Sequence, residues 1–273
     1  MSQQPCNDSQ TYTLVFVHGW GMNRGVWEAI EPSLFTLVDS LEGADIQCKL
    51  KFVDLLGYGE RATKESDIDS QNLKYDLATL ADDLNAQIPK NSVLIAWSLG
   101  GLVASIVAER RLDIKGLITV ASSPKFAGSN EWSGIDVDVL MKFKQQLIEQ
   151  QQATIKRFIA IQNMGVDNQR YQNKLIQESI FQYPLASTQA LSDGLDILLN
   201  DDIRLVLRDI TCPHLAMFGR LDSLVPYAVI PQILEYSPNT QVKIFQNAAH
   251  APFLSHTDDF ISTLENYLKL ALA

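Results

Sequence analysis

Ser98 stands where an apolar run breaks, Leu94-Ile95-Ala96-Trp97-Ser98-Leu99-Gly100-Gly101, with a small residue two positions before it and another two after. The pattern predicts a buried strand, a sharp turn and a helix that opens at Leu99. Such a turn holds its serine in a strained backbone conformation with the hydroxyl exposed, and only small flanking residues fit around it. Ala96 stands where a glycine is usual, which keeps the size and gives up some backbone freedom. A serine in this position becomes an acyl-transfer nucleophile when a histidine base and an orienting carboxylate are supplied.

The chain has four histidines, His18, His214, His250 and His256. Leu215-Ala216-Met217-Phe218-Gly219 reads as a short buried strand that runs into Arg220-Leu221-Asp222, placing Asp222 in the turn beyond it. Val242-Lys243-Ile244-Phe245 alternates like a strand and leads to Asn247-Ala248-Ala249-His250. Ser98, Asp222 and His250 thus follow one another in the order serine, acid, base, each at the carboxyl end of a strand. Ligands bind at those ends in open parallel sheets. His256 falls where a last helix begins, and His214 precedes its strand at the opposite end of the sheet. Asp193 and Asp196 lie in a helical stretch with no strand before them.

The charge that develops on an attacked carbonyl needs two N–H donors. Leu99 supplies one, directly after the nucleophile. Thr13-Leu14-Val15-Phe16-Val17 is an earlier strand leading into His18-Gly19-Trp20-Gly21-Met22. Trp20, between two glycines, is the second expected donor, its indole walling the acyl pocket. His18 is expected to bond loop backbone without transferring protons.

These residues need a scaffold of alternating elements. Strands are expected near Thr13–Val17, Ile46–Val53, Val93–Trp97, Gly116–Ala121, Leu215–Phe218 and Val242–Phe245. Helices are expected near Val26–Val38, Leu73–Ile88, Leu99–Arg110, Ala228–Glu235 and Thr257–Leu270. The alternation argues an α/β fold with a doubly wound, mostly parallel sheet. From 125 to 199 only helical periodicity appears, as in the Val139, Phe143, Leu147 stripe. This stretch leaves a strand at its carboxyl end and reads as a helical cap, inserted into a core made of residues 1–124 and 200–273.

Five blocks carry a resemblance to a known family. They are Phe16-Val17-His18-Gly19-Trp20-Gly21-Met22-Asn23, Trp97-Ser98-Leu99-Gly100-Gly101-Leu102-Val103-Ala104-Ser105, Val120-Ala121-Ser122-Ser123-Pro124, Gly219-Arg220-Leu221-Asp222-Ser223-Leu224-Val225-Pro226 and Ala248-Ala249-His250-Ala251-Pro252-Phe253-Leu254-Ser255-His256. Together they resemble the pimeloyl-acyl carrier protein methyl ester carboxylesterases of biotin synthesis, within the α/β-hydrolase superfamily. The resemblance runs from about Leu14 to the last helix. It implies an α/β-hydrolase fold, a serine esterase reaction without metal or organic cofactor, and a substrate carried by acyl carrier protein. It also implies that Phe158, Ile159, Ala160, Ile161 and Gln162 line the acyl channel with Trp20, Ser98, Leu99 and His250. Arg157, Arg170 and, conservatively, Lys174 match basic positions that engage the carrier. Ala153 falls where the family can carry a further arginine, and Lys156 stands nearby as a substitute.

Composition agrees. The 273 residues suit one large α/β domain with an insertion, and 46% hydrophobic content supplies its core. A net charge of −10 argues against nucleic acid as a partner. It would also repel an acidic carrier, but residues 153–174 hold four cations, Lys156, Arg157, Arg170 and Lys174, against one anion, Asp167. Cys6, Cys48 and Cys212 are widely spaced, without metal-ligand spacing, and suggest a reducing compartment. The polar first ten residues carry no apolar signal, and no run is long enough to span a bilayer. A cytoplasmic monomer is expected. A broad short-chain esterase, a carbon–carbon bond hydrolase with the same triad, and a non-catalytic binding protein on this scaffold remain alternatives. Haloalkane dehalogenases and epoxide hydrolases, which place aspartate at the elbow, match less well, since Ser98 stands there.

Overall fold

A computed structural model describes residues 10–62 and 74–272. Six strands form one parallel sheet: β1 (Thr11–Val17), β2 (Gln47–Val53), β3 (Ser92–Trp97), β4 (Gly116–Val120), β5 (His214–Gly219) and β6 (Gln241–Phe245). Their order is β2-β1-β3-β4-β5-β6. β3, β4 and β5 are buried along their whole length. Continuous apolar runs are what a parallel strand needs when helices cover both faces. β2 and β6 lie at the edges and keep exposed positions.

Among the described residues the helices are α1 (Glu31–Glu42), α2 (Leu77–Gln87), α3 (Leu99–Arg110), α4 (Val137–Glu149), α5 (Gln151–Gln162), α6 (Gln169–Ile180), α7 (Thr188–Asn200), α8 (Ile230–Tyr236), α9 (Pro252–Ser255) and α10 (Thr257–Ala271). α3 is apolar nearly all round and buried from Leu99 through Ser105, as a helix enclosed by sheet and neighbours has to be. α10 is amphipathic. It buries Phe260, Leu264, Tyr267 and Leu268, and carries Asp258 and Asp259 in its first turn and Lys269 in its last, which suits the helix dipole. The α/β fold and parallel sheet expected from the sequence are present. α4 to α7 follow one another between β4 and β5, and apart from two isolated bridges the described residues there contain no strand pairing.

Three expectations change in detail. The stretch read as one helix over Val26–Val38 is a 3-10 segment, Arg24–Ile30, followed by α1, because Pro32 fits only the first turn of a new helix. α2 starts at Leu77, where the Asp76 side chain accepts the Thr79 N–H at 2.9 Å. β4 ends at Val120, because Ala121 turns to φ +44°. Cys6, the polar N-terminal stretch and Leu73 lie outside the described residues. No helix among the described residues is long and apolar enough to cross a membrane.

His214 opens β5, at the end of the sheet away from Ser98. Its ring is held between the hydroxyls of Thr119 and Thr240, each at 3.0 Å. Burial lowers its pKa to about 4, well below the usual 6.5. The unfolded chain therefore binds more protons between pH 6.5 and 4, so stability is full above that window and falls as pH drops through it. At pH 5 the loss attributable to this ring is about 2 kcal/mol. In urea titrations, His214→Asn is expected to lower the midpoint at pH 7 and to narrow its deficit against wild type at pH 5. A constant deficit at both pH values would refute it.

Candidate active site

The strand order reverses between β1 and β3, whose registers pair Val17 with Ala96. A crevice opens at the carboxyl ends of such neighbours. The loop from β1 and the turn from β3 meet there at very short range. A Cβ on Gly19 would stand 2.9 Å from the Ser98 Cβ, and one on Gly100 would stand 2.5 Å from the His18 carbonyl. Both glycines are required by this approach rather than by their dihedral angles.

Ser98 itself adopts φ 55° and ψ −123°. A side-chain-bearing residue there costs about 1–3 kcal/mol and persists only where its surroundings hold it. The Ser98 N–H donates to Val120 O at 2.9 Å, and its carbonyl accepts from the Gly101 N–H at 2.9 Å and the Ser122 hydroxyl at 2.8 Å. Trp97, one residue earlier, donates its indole N–H to the His250 carbonyl at 2.8 Å, so the β3 turn also anchors the loop after β6.

His250 is buried, and its Nδ1 lies 2.8 Å from Asp222 Oδ2. The other carboxylate oxygen, Oδ1, accepts from the Leu224 N–H at 2.8 Å and the Val225 N–H at 3.0 Å. Asp222 is therefore fixed from behind, with one oxygen committed to the turn and one to the ring. The His250 Nε2 is buried and, among the described residues, has no hydrogen-bond partner. Contacts of this kind often close only when substrate is bound.

The residue before Trp20 is positioned with equal care. The Leu55 N–H donates to His18 Nε2 at 3.1 Å, so Nδ1 carries the proton and donates to Gly19 O at 2.8 Å. Burial keeps the His18 pKa below the ordinary histidine value, and the ring is neutral even though Asp54 lies 3.8 Å away. This is the backbone-bonding role expected of His18. The Gly19 carbonyl and the Trp20 N–H belong to one peptide plane, so the histidine aims that amide. The Leu99 N–H stands at the first position of α3, where no acceptor within the helix exists.

Two helices between β4 and β5, α5 and α7, contact the loops around this crevice. Trp20 donates its indole N–H to Leu191 O at 2.8 Å, and Tyr58 donates to Ala190 O at 3.1 Å, both on α7. Gly194, one turn on, permits this: a Cβ there would lie 2.6 Å from the Tyr58 hydroxyl. Phe158 meets Trp20 edge to face at 4.7 Å. The His250 N–H donates to the Gln162 carbonyl at 3.0 Å. Phe158, Ile159 and Gln162 are buried, whereas Ala160 and Ile161 are half-buried. Neither polar atom of the Gln162 side chain has a hydrogen-bond partner among the described residues.

The structure therefore brings Ser98, Leu99, Trp20, Asp222, His250, Phe158 and Gln162 to one place. Lys156, Arg157, Arg170 and Lys174 lie apart from it, exposed on α5 and α6. Arg157 bonds the Gln146 side chain, and Lys174 pairs with Glu178 at 3.5 Å. His214 lies at the opposite end of its strand, as expected, and His256 stands at the N-terminus of α10, its ring bonded to the Ser255 hydroxyl at 2.9 Å. Sequence reasoning did not reveal the Trp97 indole bond or the Tyr58 bond to α7. Both join residues far apart in the chain, and no local spacing signals them.

Comparison with known proteins narrows the assignment. Residues 14–263 match the model of the alpha/beta hydrolase family. A pimeloyl-[acyl-carrier protein] methyl ester esterase from Pseudoalteromonas atlantica is 42% identical over 93% of this chain and 94% of its own length. One from Photorhabdus laumondii is 37% identical over 96% of this chain and 94% of its own. The chain belongs to the pimeloyl-acyl carrier protein methyl ester esterase family of alpha/beta hydrolases. Solved structures agree on the fold of this family. An esterase from Exiguobacterium antarcticum superposes with a TM-score of 0.78 at 23% identity, covering 94% of this chain and 92% of that one. A bromoperoxidase from Bacillus anthracis gives 0.79 at 19% identity, covering 96% and 93%.

Proposed function

We propose that this carboxylic ester hydrolase cleaves the methyl ester of pimeloyl-acyl carrier protein, releasing methanol and the free carboxylate in biotin synthesis. The observation that carries the proposal is the Asp222–His250 contact of 2.8 Å beside the strained Ser98 turn, in a chain whose relatives bear that name.

Ser98 Oγ attacks the ester carbonyl while His250 Nε2 takes its proton. Asp222 holds the ring in the tautomer that leaves Nε2 free to accept, and it stabilises the cation that follows. The amides of Trp20 and Leu99 bind the oxyanion. The imidazolium then protonates the departing methoxide, and methanol leaves an acyl-serine. Water attacks in turn, His250 taking its proton and passing it to Ser98 Oγ as the acyl–oxygen bond breaks, and the carboxylate is released. This chemistry needs no metal or organic cofactor.

Residues 125–199 act as a cap over the core formed by 1–124 and 200–273. Trp20, Leu99 and the Phe158–Gln162 segment line the acyl path. The Gln162 amide, buried and without a partner among the described residues, offers both a donor and an acceptor to a polar group of the substrate. Lys156, Arg157, Arg170 and Lys174 form a basic docking face for the acidic carrier on the cytoplasmic side of metabolism. The partner of Arg157 is a neutral glutamine, so its charge is available to a docking surface.

The test compares hydrolysis of pimeloyl-carrier methyl ester with that of a short aryl ester. Fast turnover of the carrier substrate supports the proposal, whereas cleavage of the aryl ester alone leaves a general esterase. Arg157→Glu combined with Arg170→Glu is expected to lower kcat/KM for the carrier substrate by roughly tenfold or more at low salt, and to leave the aryl ester unchanged. Equal losses on both substrates would sink the docking assignment.

A further inference from the structure

The geometry points to Ser122 as a positioning residue that aims the Leu99 amide at the oxyanion. The inference rests on the reading of Ser98 as nucleophile and Leu99 as oxyanion donor. The Ser98 carbonyl and the Leu99 N–H belong to the same planar peptide unit and point in opposite directions. Whatever fixes one therefore aims the other. Ser122 is buried, and its hydroxyl donates to the Ser98 carbonyl at 2.8 Å.

Two further features show that this contact is built into the fold. Ala121 takes φ +44°, a conformation alanine adopts at a cost, and its N–H is held by Met217 O at 2.8 Å. That turn directs the next residue beneath the β3 turn instead of along the strand. On the other side, a Cβ on Gly101 would lie 2.3 Å from the Ser122 hydroxyl, so only glycine admits it. The carbonyls of both peptides that carry an expected oxyanion donor thus accept from a side chain: Gly19 from His18, and Ser98 from Ser122. Donation to the carbonyl also polarises the peptide and strengthens its N–H as a donor.

Removing an oxyanion donor outright costs 10²–10³ in kcat, so losing only its alignment is expected to cost roughly tenfold to hundredfold. Ser122→Ala and Ser122→Cys are measured on p-nitrophenyl acetate beside wild type and Ser98→Ala, with melting temperatures. The Ki of an alkyl trifluoromethyl ketone, which forms a tetrahedral oxyanion on the serine, is determined for each active protein. Expected is a fall in kcat with KM within twofold, a rise in the ketone Ki by a similar factor, and an intermediate cysteine variant. A folded Ser122→Ala with wild-type kcat and ketone affinity overturns the inference, as does a change confined to KM. If the alanine variant does not fold, the cysteine variant is judged by the same ratios. Wild-type activity in Ser98→Ala would instead overturn the nucleophile reading on which the inference stands.

Discussion

Ser98→Ala lowers turnover of both the carrier ester and an aryl ester by at least about 10⁴-fold, leaving only what binding and the oxyanion donors supply. The fold has little reason to respond. Its use of Ser98 runs through backbone, with the N–H bound to Val120 O and the carbonyl accepting from Gly101 and Ser122. Alanine keeps all three bonds and the same Cβ, so stability should stay within about 0.5 kcal/mol of wild type. Thermal melts and labelling by a fluorophosphonate probe check both halves: an unchanged melt with labelling abolished. A variant that still turned over at a rate near wild type would remove Ser98 from the mechanism.

Asp222→Asn is the second large effect, and the structure specifies which way the new amide will face. Oδ1 of Asp222 accepts from two backbone N–H groups, those of Leu224 and Val225. Only the amide oxygen of asparagine satisfies them, so its NH₂ is left facing His250 Nδ1. The ring must then accept at Nδ1 and carry its proton on Nε2, the atom that has to take the serine proton. A loss of roughly 10⁴-fold in kcat is expected, with the loop geometry kept. Asp222→Ala should be similarly inactive and also less stable, since it strands two buried N–H groups at about 1–3 kcal/mol each. Equal stability of the alanine and asparagine variants in urea would contradict the double role given to this carboxylate.

Much of this arrangement is legible in the residues themselves. The apolar run into Ser98 places β3 and α3 because a continuous buried strand and a small-residue helix have few other readings. The strands before Asp222 and His250 are short and apolar or alternating, and their ends fall where the turn residues begin. What escapes the sequence is of another kind. Pro32 divides one apparent helix in two, a local effect visible only once the preceding turn is known to be tight. Ser122 stands in plain view in the Val120–Pro124 segment, yet its part depends on Ala121 entering the left-handed region, which alanine does not advertise. The bond from Trp20 to Leu191 joins residues 171 positions apart. No periodicity encodes such a contact. It follows from the packed structure, and only the packed structure shows it.

The ties between the inserted helices and the crevice bear on how anything gets in. Trp20 and Tyr58 hold α7 from the β1 and β2 loops, and His250 holds the end of α5 from the β6 loop. Raising the helices as a hinged door would tear out bonds on the donor side and the base side together. If residues 125–199 act as the proposed cap, a raised door would therefore loosen both sides of the crevice at once. Access would then be a matter of threading: a slim linear chain entering end-on is the substrate expected, and a bulky or branched ester is expected to react more slowly.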